Sequence, residues 1–90
     1  MKFDPVFTGQ FKRDLKKILA GGKEERPFKD IARKLITGER LDPKHRDHKL
    51  IGNYVGRREC HIEADWLLIY KIDGRRIIFE RTGTHSELFC

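Results

Sequence analysis

WLLIYKIDGRRIIFERT, residues Trp66 to Thr82, decides how this chain is read. Two runs rich in β-branched and aromatic residues flank Asp73-Gly74, a dipeptide suited to a two-residue hairpin turn. With Asp73 and Gly74 as the turn residues, Ile72 pairs with Arg75, Tyr70 with Ile77, Leu68 with Phe79 and Trp66 with Arg81. Directly paired residues share a face of the sheet. One face therefore carries Trp66, Leu68, Tyr70, Ile77, Phe79 and Arg81. The other carries Leu67, Ile69 and Ile78 and is predicted to lie under the helices.

Upstream, YVGRRECHIE (54–63) reads as a third antiparallel strand, joined by a turn at Ala64 and Asp65. That turn sets His61 opposite Leu68, on the Arg81 face, and sends Cys60 and Ile62 to the helix side. Downstream, Gly83 lets the chain bend, and Thr84 and Glu87 form a T-x-x-E capping box for a short helical turn holding Leu88 and Phe89. The bend folds His85 back toward His61, Trp66 and Arg81.

The first half has a different period. Phe7, Phe11, Leu15, Ile18 and Leu19 recur at helical spacing up to the stop at Gly21 and Gly22. Phe28, Ile31, Ala32, Leu35 and Ile36 repeat the pattern and end at Gly38. A polar stretch, 38–53, follows without periodicity; it holds His48, and His45 in it reads as solvated. The order is α+β: two N-terminal helices packed on a twisted antiparallel sheet, with a short C-terminal helical turn, in a single domain spanning 1–90.

Composition narrows the partners. Residues 1–50 hold 14 Lys and Arg against 8 Asp and Glu, whereas 51–90 hold 6 against 6, so the whole net charge of +6 lies in the first half. A concentrated basic surface fits a polyanion such as nucleic acid, or a merely solvated helix face. No run approaches the ~20 apolar residues of a membrane span, and the N-terminus lacks a secretory pattern, so cytoplasmic residence with no membrane partner is expected. Cys60 and Cys90 show no C-x-x-C spacing and are expected as reduced thiols.

Histidine transfers protons near neutrality, and several near one arginine suit metal-free RNA cleavage: a base for the ribose 2′-hydroxyl, an acid for the leaving 5′-oxygen, a cation for the phosphorane. Trp66 and Phe89 have the rings to stack on bases, although a tryptophan opening a strand is more often core than ligand platform, and Arg81 suits a cation-π pair with it. The spacings of the histidines and Asp65 match no compact ligand motif, so no metal or cofactor is expected.

The elements D-H-x-L (47–50), C-H-I-x-x-D-W-x-L-I-Y (60–70) and R-x-G-T-H-x-x-L-F (81–89) occur in order. Together they resemble the YafQ branch of the RelE-like toxins of bacterial type II toxin-antitoxin systems, across about half the chain; the helical half matches more loosely. The chain departs from the family's common pattern at Ala64, where proline is usual.

The resemblance implies a RelE-like fold with a sheet of three to four strands, including a short N-terminal strand around Lys2 to Asp4. It also implies an mRNA interferase, an endoribonuclease that cuts messenger RNA in the ribosomal A site by 2′-hydroxyl attack. Carried over by position, His48, His61, Asp65, Arg81 and His85 are catalytic: His48 or His61 the base with Asp65 in support, His85 the acid, Arg81 on the phosphate. Trp66 and Phe89 meet the bases, and Lys12, Arg13, Lys16, Arg33 and Lys34 meet ribosomal RNA. The implied partners are a cognate antitoxin, the ribosome with its mRNA, and operator DNA through the toxin-antitoxin complex only. Two other functions fit the fold: a ParE-like inhibitor of DNA gyrase, which needs no histidine site, and an inactive antitoxin ligand acting as corepressor.

Overall fold

The computed structural model describes residues 2–89. Its five-stranded sheet has the order β1-β5-β4-β3-β2, from β1 (Asp4–Phe7), β2 (His48–Lys49), β3 (Arg58–Glu63), β4 (Trp66–Asp73) and β5 (Arg76–Gly83). All neighbours are antiparallel except β1, which runs parallel to β5. Strand β1 lies slightly later than Lys2 to Asp4, and the two-residue β2 emerges from a stretch without periodicity.

Helices α1 (Gly9–Ala20) and α2 (Arg26–Thr37) form the expected pair. Phe7, read as the first residue of the helical pattern, belongs to β1. The helix starts only after Thr8, whose hydroxyl caps the Phe11 N–H at 3.0 Å. Gly38 ends α2 in the left-handed conformation with φ 80°. Helix α3 (His85–Phe89) carries the predicted box: Thr84 N–H donates to Glu87 Oε1 at 2.9 Å, and Glu87 N–H donates to Thr84 Oγ1 at 3.3 Å.

The hairpin turn sits one residue later than predicted, on Gly74 and Arg75, so Asp73 pairs with Arg76, Ile72 with Ile77 and Tyr70 with Phe79. Gly74 takes φ 61°, while neither Asp73 nor Arg75 has positive φ. Glycine at the first central position admits that conformation without strain, whereas an Asp-Gly turn of the mirror-image type would place Asp73 there.

Two bulges then decide what each face carries. Glu80 is an extra residue in β5, because Tyr70 pairs with Phe79 but Ile69 with Arg81. Ile62 is an extra residue in β3, because Glu63 pairs with Trp66 but His61 with Leu67. Side chains alternate along a strand, so one inserted residue sends every residue beyond it to the opposite face. Arg81 leaves the Trp66 face, and His61 comes to share a face with Leu67, Ile69 and Arg81 rather than with Leu68.

For β4 and β5 the helices cover the face opposite to the one predicted, whereas Cys60 and Ile62 of β3 lie on the helix side as predicted. Trp66, Leu68, Tyr70, Ile77 and Phe79, with Cys60 and Ile62, pack against Phe11, Ile18, Phe28, Ile31, Ala32 and Leu35. Leu67 and Ile69 face the other way, under Leu88 of α3, Leu50 and Tyr54. Cys60 is a free, fully buried thiol whose ionisation is pushed up by that burial. Cys90 lies outside the described residues.

Candidate active site

The face away from the helices collects His48, Glu59, His61 and Arg81, with His85 and Phe89 arriving on α3. Asp47 fixes the approach to His48: it accepts from the Tyr70 hydroxyl at 2.6 Å and from Arg58 Nε at 3.2 Å. Burial, then the bond to the Asp47 carboxylate, pushes the Tyr70 hydroxyl's ionisation far up, so it remains a donor. His48 Nδ1 lies 2.5 Å from the Arg46 carbonyl, which only accepts, so this nitrogen carries the proton. Its Nε2 is left 3.5 Å from Glu59 Oε1.

Strand alternation sets Glu59 and His61 on one face, and His61 Nε2 lies 3.6 Å from the same Glu59 oxygen. Glu59 is buried and His61 nearly so, while His48 and His85 are about half exposed. His45, expected to be solvated, is instead half-buried, its Nδ1 donating to the His61 carbonyl at 2.7 Å and bracing the strand behind the ring.

His85 has its own carboxylate. Asp65 Oδ1 accepts from the His85 backbone N–H at 3.0 Å and from its Nδ1 at 3.1 Å. The backbone bond first, then the imidazole bond, hold the Asp65 carboxyl below its ordinary range. Proposed from the sequence as support for the base, Asp65 supports His85 here, because the turn at Ala64 and Asp65 faces the start of α3. With Nδ1 committed, Nε2 of His85 is free to meet a substrate. The His61 and His85 rings stand 5.7 Å apart between centroids, close enough for one phosphodiester to reach both.

Arg81 is placed from behind. Beyond Phe79 the edge of β5 is no longer paired by β1, and α1 supplies Asp14 there. Asp14 accepts from Arg81 Nε at 2.7 Å and from the Thr82 N–H at 3.2 Å. Burial pushes the Asp14 carboxyl up, but bonds from Arg81, Gln10 and Thr82 outweigh it, so it stays below its ordinary value. A depressed value means that Asp14 contributes its full stability above the unfolded pKa of about 3.9 and loses it as pH falls through the lower folded value. Asp14→Asn should destabilise the protein at pH 7 by about 1–3 kcal/mol. Denaturant unfolding should show that gap narrowing as pH is taken below about 3.9; a gap independent of pH would remove the carboxylate from the account.

Trp66 does not join the site. It is 0% exposed, and its indole N–H donates to Thr82 Oγ1 at 2.8 Å inside the core, so it presents no ring to a base. Phe89 does, at 44% exposure, its ring 6.2 Å from His85 and edge-on to Tyr54 at 5.5 Å. The helical cations do not form one patch: Lys12 and Arg33 flank an apolar groove between α1 and α2, Arg13 lies beside Arg81, and Lys34 beside Lys44. Beside the histidines, a cleft of about 690 Å³ is lined by Lys44, Arg46, His61 and His85. Glu59, Asp14, Lys44 and Arg46 were not singled out from the sequence; for Glu59 the signal was its i, i+2 spacing to His61.

A helical hairpin on one face of a small sheet, and histidines, carboxylates and an arginine on the other, define a RelE-like toxin. Residues 3–90 match the family model described as the bacterial toxin of type II toxin-antitoxin system, YafQ, and the chain belongs to that family. The chain is 38% identical over 87 residues to the mRNA interferase toxin YafQ of Escherichia coli K12, covering 96% of this chain and 95% of that protein. The crystal structure of YafQ from E. coli BL21(DE3) superposes with a TM-score of 0.93 at 36% identity, over 98% of this chain and 99% of that one. YafQ in the E. coli DinJ-YafQ complex superposes with a TM-score of 0.90 at 37% identity, over 98% and 99% of the two chains.

Proposed function

We propose that this protein is a ribosome-dependent endoribonuclease, the toxin of a type II toxin-antitoxin pair, cutting messenger RNA in the A site and so arresting translation in the cytoplasm. The observation that carries this reading is the pairing of separate carboxylates with separate histidines on one face: Glu59 with His48 and His61, Asp65 with His85. Acid and base thereby sit in distinct environments, as general acid-base cleavage requires.

In the reaction, His48 or His61 takes the proton of the ribose 2′-hydroxyl. The oxygen attacks the adjacent phosphorus, and Arg81 compensates the negative charge of the phosphorane. His85 Nε2 gives its proton to the departing 5′-oxygen, leaving a 2′,3′-cyclic phosphate and a 5′-hydroxyl. The base ends protonated and His85 neutral, and exchange with water resets both. Phe89 stacks on a neighbouring base. The cations Lys12, Arg13, Lys16, Arg33 and Lys34, with Lys44 and Arg46 at the cleft, make salt-dependent contacts to ribosomal and messenger RNA phosphates.

A cognate antitoxin with an acidic segment binds cations such as Lys44 and Arg46 at the cleft and blocks entry to the ribosome, and operator DNA is contacted through that complex. Primer extension on a defined mRNA, with and without translating ribosomes, tests the reading. Discrete cuts that need both ribosomes and His85 are expected; no cuts by a folded protein that still arrests growth would move the target to a protein such as DNA gyrase.

A further inference from the structure

Glu59 is the one strongly buried carboxylate on the site face, with a side chain 6% exposed. Among the described residues its ionic partners are His48 and His61, at 3.5 and 3.6 Å from one and the same oxygen, Oε1. No lysine, arginine or backbone N–H bonds to it there. A carboxylate removed from water is costly unless a cation or donors compensate it. Here the compensation available is an imidazolium on either of two rings.

We infer that Glu59 is the positioning residue of the base side: one shared negative charge that orients His48 and His61 and stabilises whichever ring holds the proton taken from the 2′-hydroxyl. The inference rests on the nuclease reading and deepens it. The geometry favours it over a purely structural role. His48 Nδ1 already donates to the Arg46 carbonyl, so a protonated His48 would present its second N–H to Glu59. His61 is held from behind by His45 on its carbonyl. The other charged and titratable groups around the pair are His85 from α3 with Asp65 from the β3-β4 turn, Arg81 from β5, and Lys44, His45, Arg46 and Glu63 along the cleft. The basic groups among these raise the local positive charge, and Glu59 is the carboxylate set against it at the base.

The test compares wild type with Glu59→Gln and Glu59→Asp, as full chains, in ribosome-dependent cleavage from pH 5 to 9. Glu59→Gln keeps the shape but removes the charge. Its plateau rate should fall about tenfold, less than the 10²- to 10⁴-fold of a whole general base. The acidic limb of its pH-rate profile should move toward lower pH, as loss of a neighbouring opposite charge demands. Glu59→Asp should keep the wild-type profile. A Glu59→Gln protein with the wild-type rate and profile overturns the inference, and so does an equal loss in both variants with no movement of the profile, which marks a merely structural residue. Imidazole NMR titration of His48 and His61 in the same proteins separates the two claims. If wild type cuts nothing, the nuclease reading fails, and a Glu59→Gln titration of both rings coinciding with wild type would overturn the Glu59 pairing by itself.

Discussion

Replacing His85 with alanine should slow cleavage of ribosome-bound mRNA by about 10²- to 10⁴-fold, the contribution of a positioned general acid. The fold should not suffer, because the imidazole is half exposed and contributes no part of either apolar cluster. The backbone N–H of residue 85 would still donate to Asp65, so the start of α3 stays anchored. Single-turnover cleavage, with circular dichroism and antitoxin binding as controls, reads this out. Asp65→Asn should cost less, since Asp65 acts only through His85, and both partners are so exposed that salt screens their attraction. A His85→Ala protein that cuts at the wild-type rate would remove His85 from the chemistry and leave the acid to another group.

Trp66→Ala should be the most destabilising change, at about 3–5 kcal/mol, as for other large buried aromatics truncated in a core. Trp66 is fully enclosed between the sheet and the helices. Against the 5–15 kcal/mol typical of a domain of this kind, such a loss leaves a marginal fold and lowers the melting temperature by at least about 12 °C. The indole hydrogen bond adds little to this cost. Its acceptor, Thr82 Oγ1, also donates to the Leu67 carbonyl at 2.7 Å and is not orphaned without Trp66.

Trp66→Phe separates the two roles that the sequence allowed. It should cost a fraction of the alanine change and cleave at the wild-type rate at any temperature where it is folded. A stable Trp66→Phe protein that no longer cuts would mean that the indole meets RNA after all, in a conformation quite unlike this one.

The contrast between Trp66 and Arg81 shows where reading the sequence succeeds and where it stops. Both helices, the β4-β5 hairpin and the Thr84-Glu87 capping box were legible, because helical periodicity, turn glycines and capping pairs are local signals within a few residues of one another. The association of His61 with Arg81 was also anticipated, though for the wrong reason. Each of the two moved to the opposite face through a bulge, at Ile62 and at Glu80, and the two inversions cancelled. Trp66 had no such compensation, and it went into the core. A bulge leaves little trace in sequence, yet it inverts every side chain that follows.

Glu59 and Asp14 were hidden for a related reason. The strand β2 that brings His48 beside Glu59 spans only His48 and Lys49, too short to show a period. Asp14 comes from a helix to an edge that β1 leaves open, 67 residues away from Arg81 in the chain. By itself, then, the sequence determined the two helices, the three long strands and the C-terminal turn in their order, and the residue types able to move protons, all of which follow from local propensity and side-chain chemistry. Only the tertiary structure decided which face each residue occupies and which carboxylate serves which histidine. Those assignments depend on strand register and on contacts between distant segments, where a single inserted residue changes the answer.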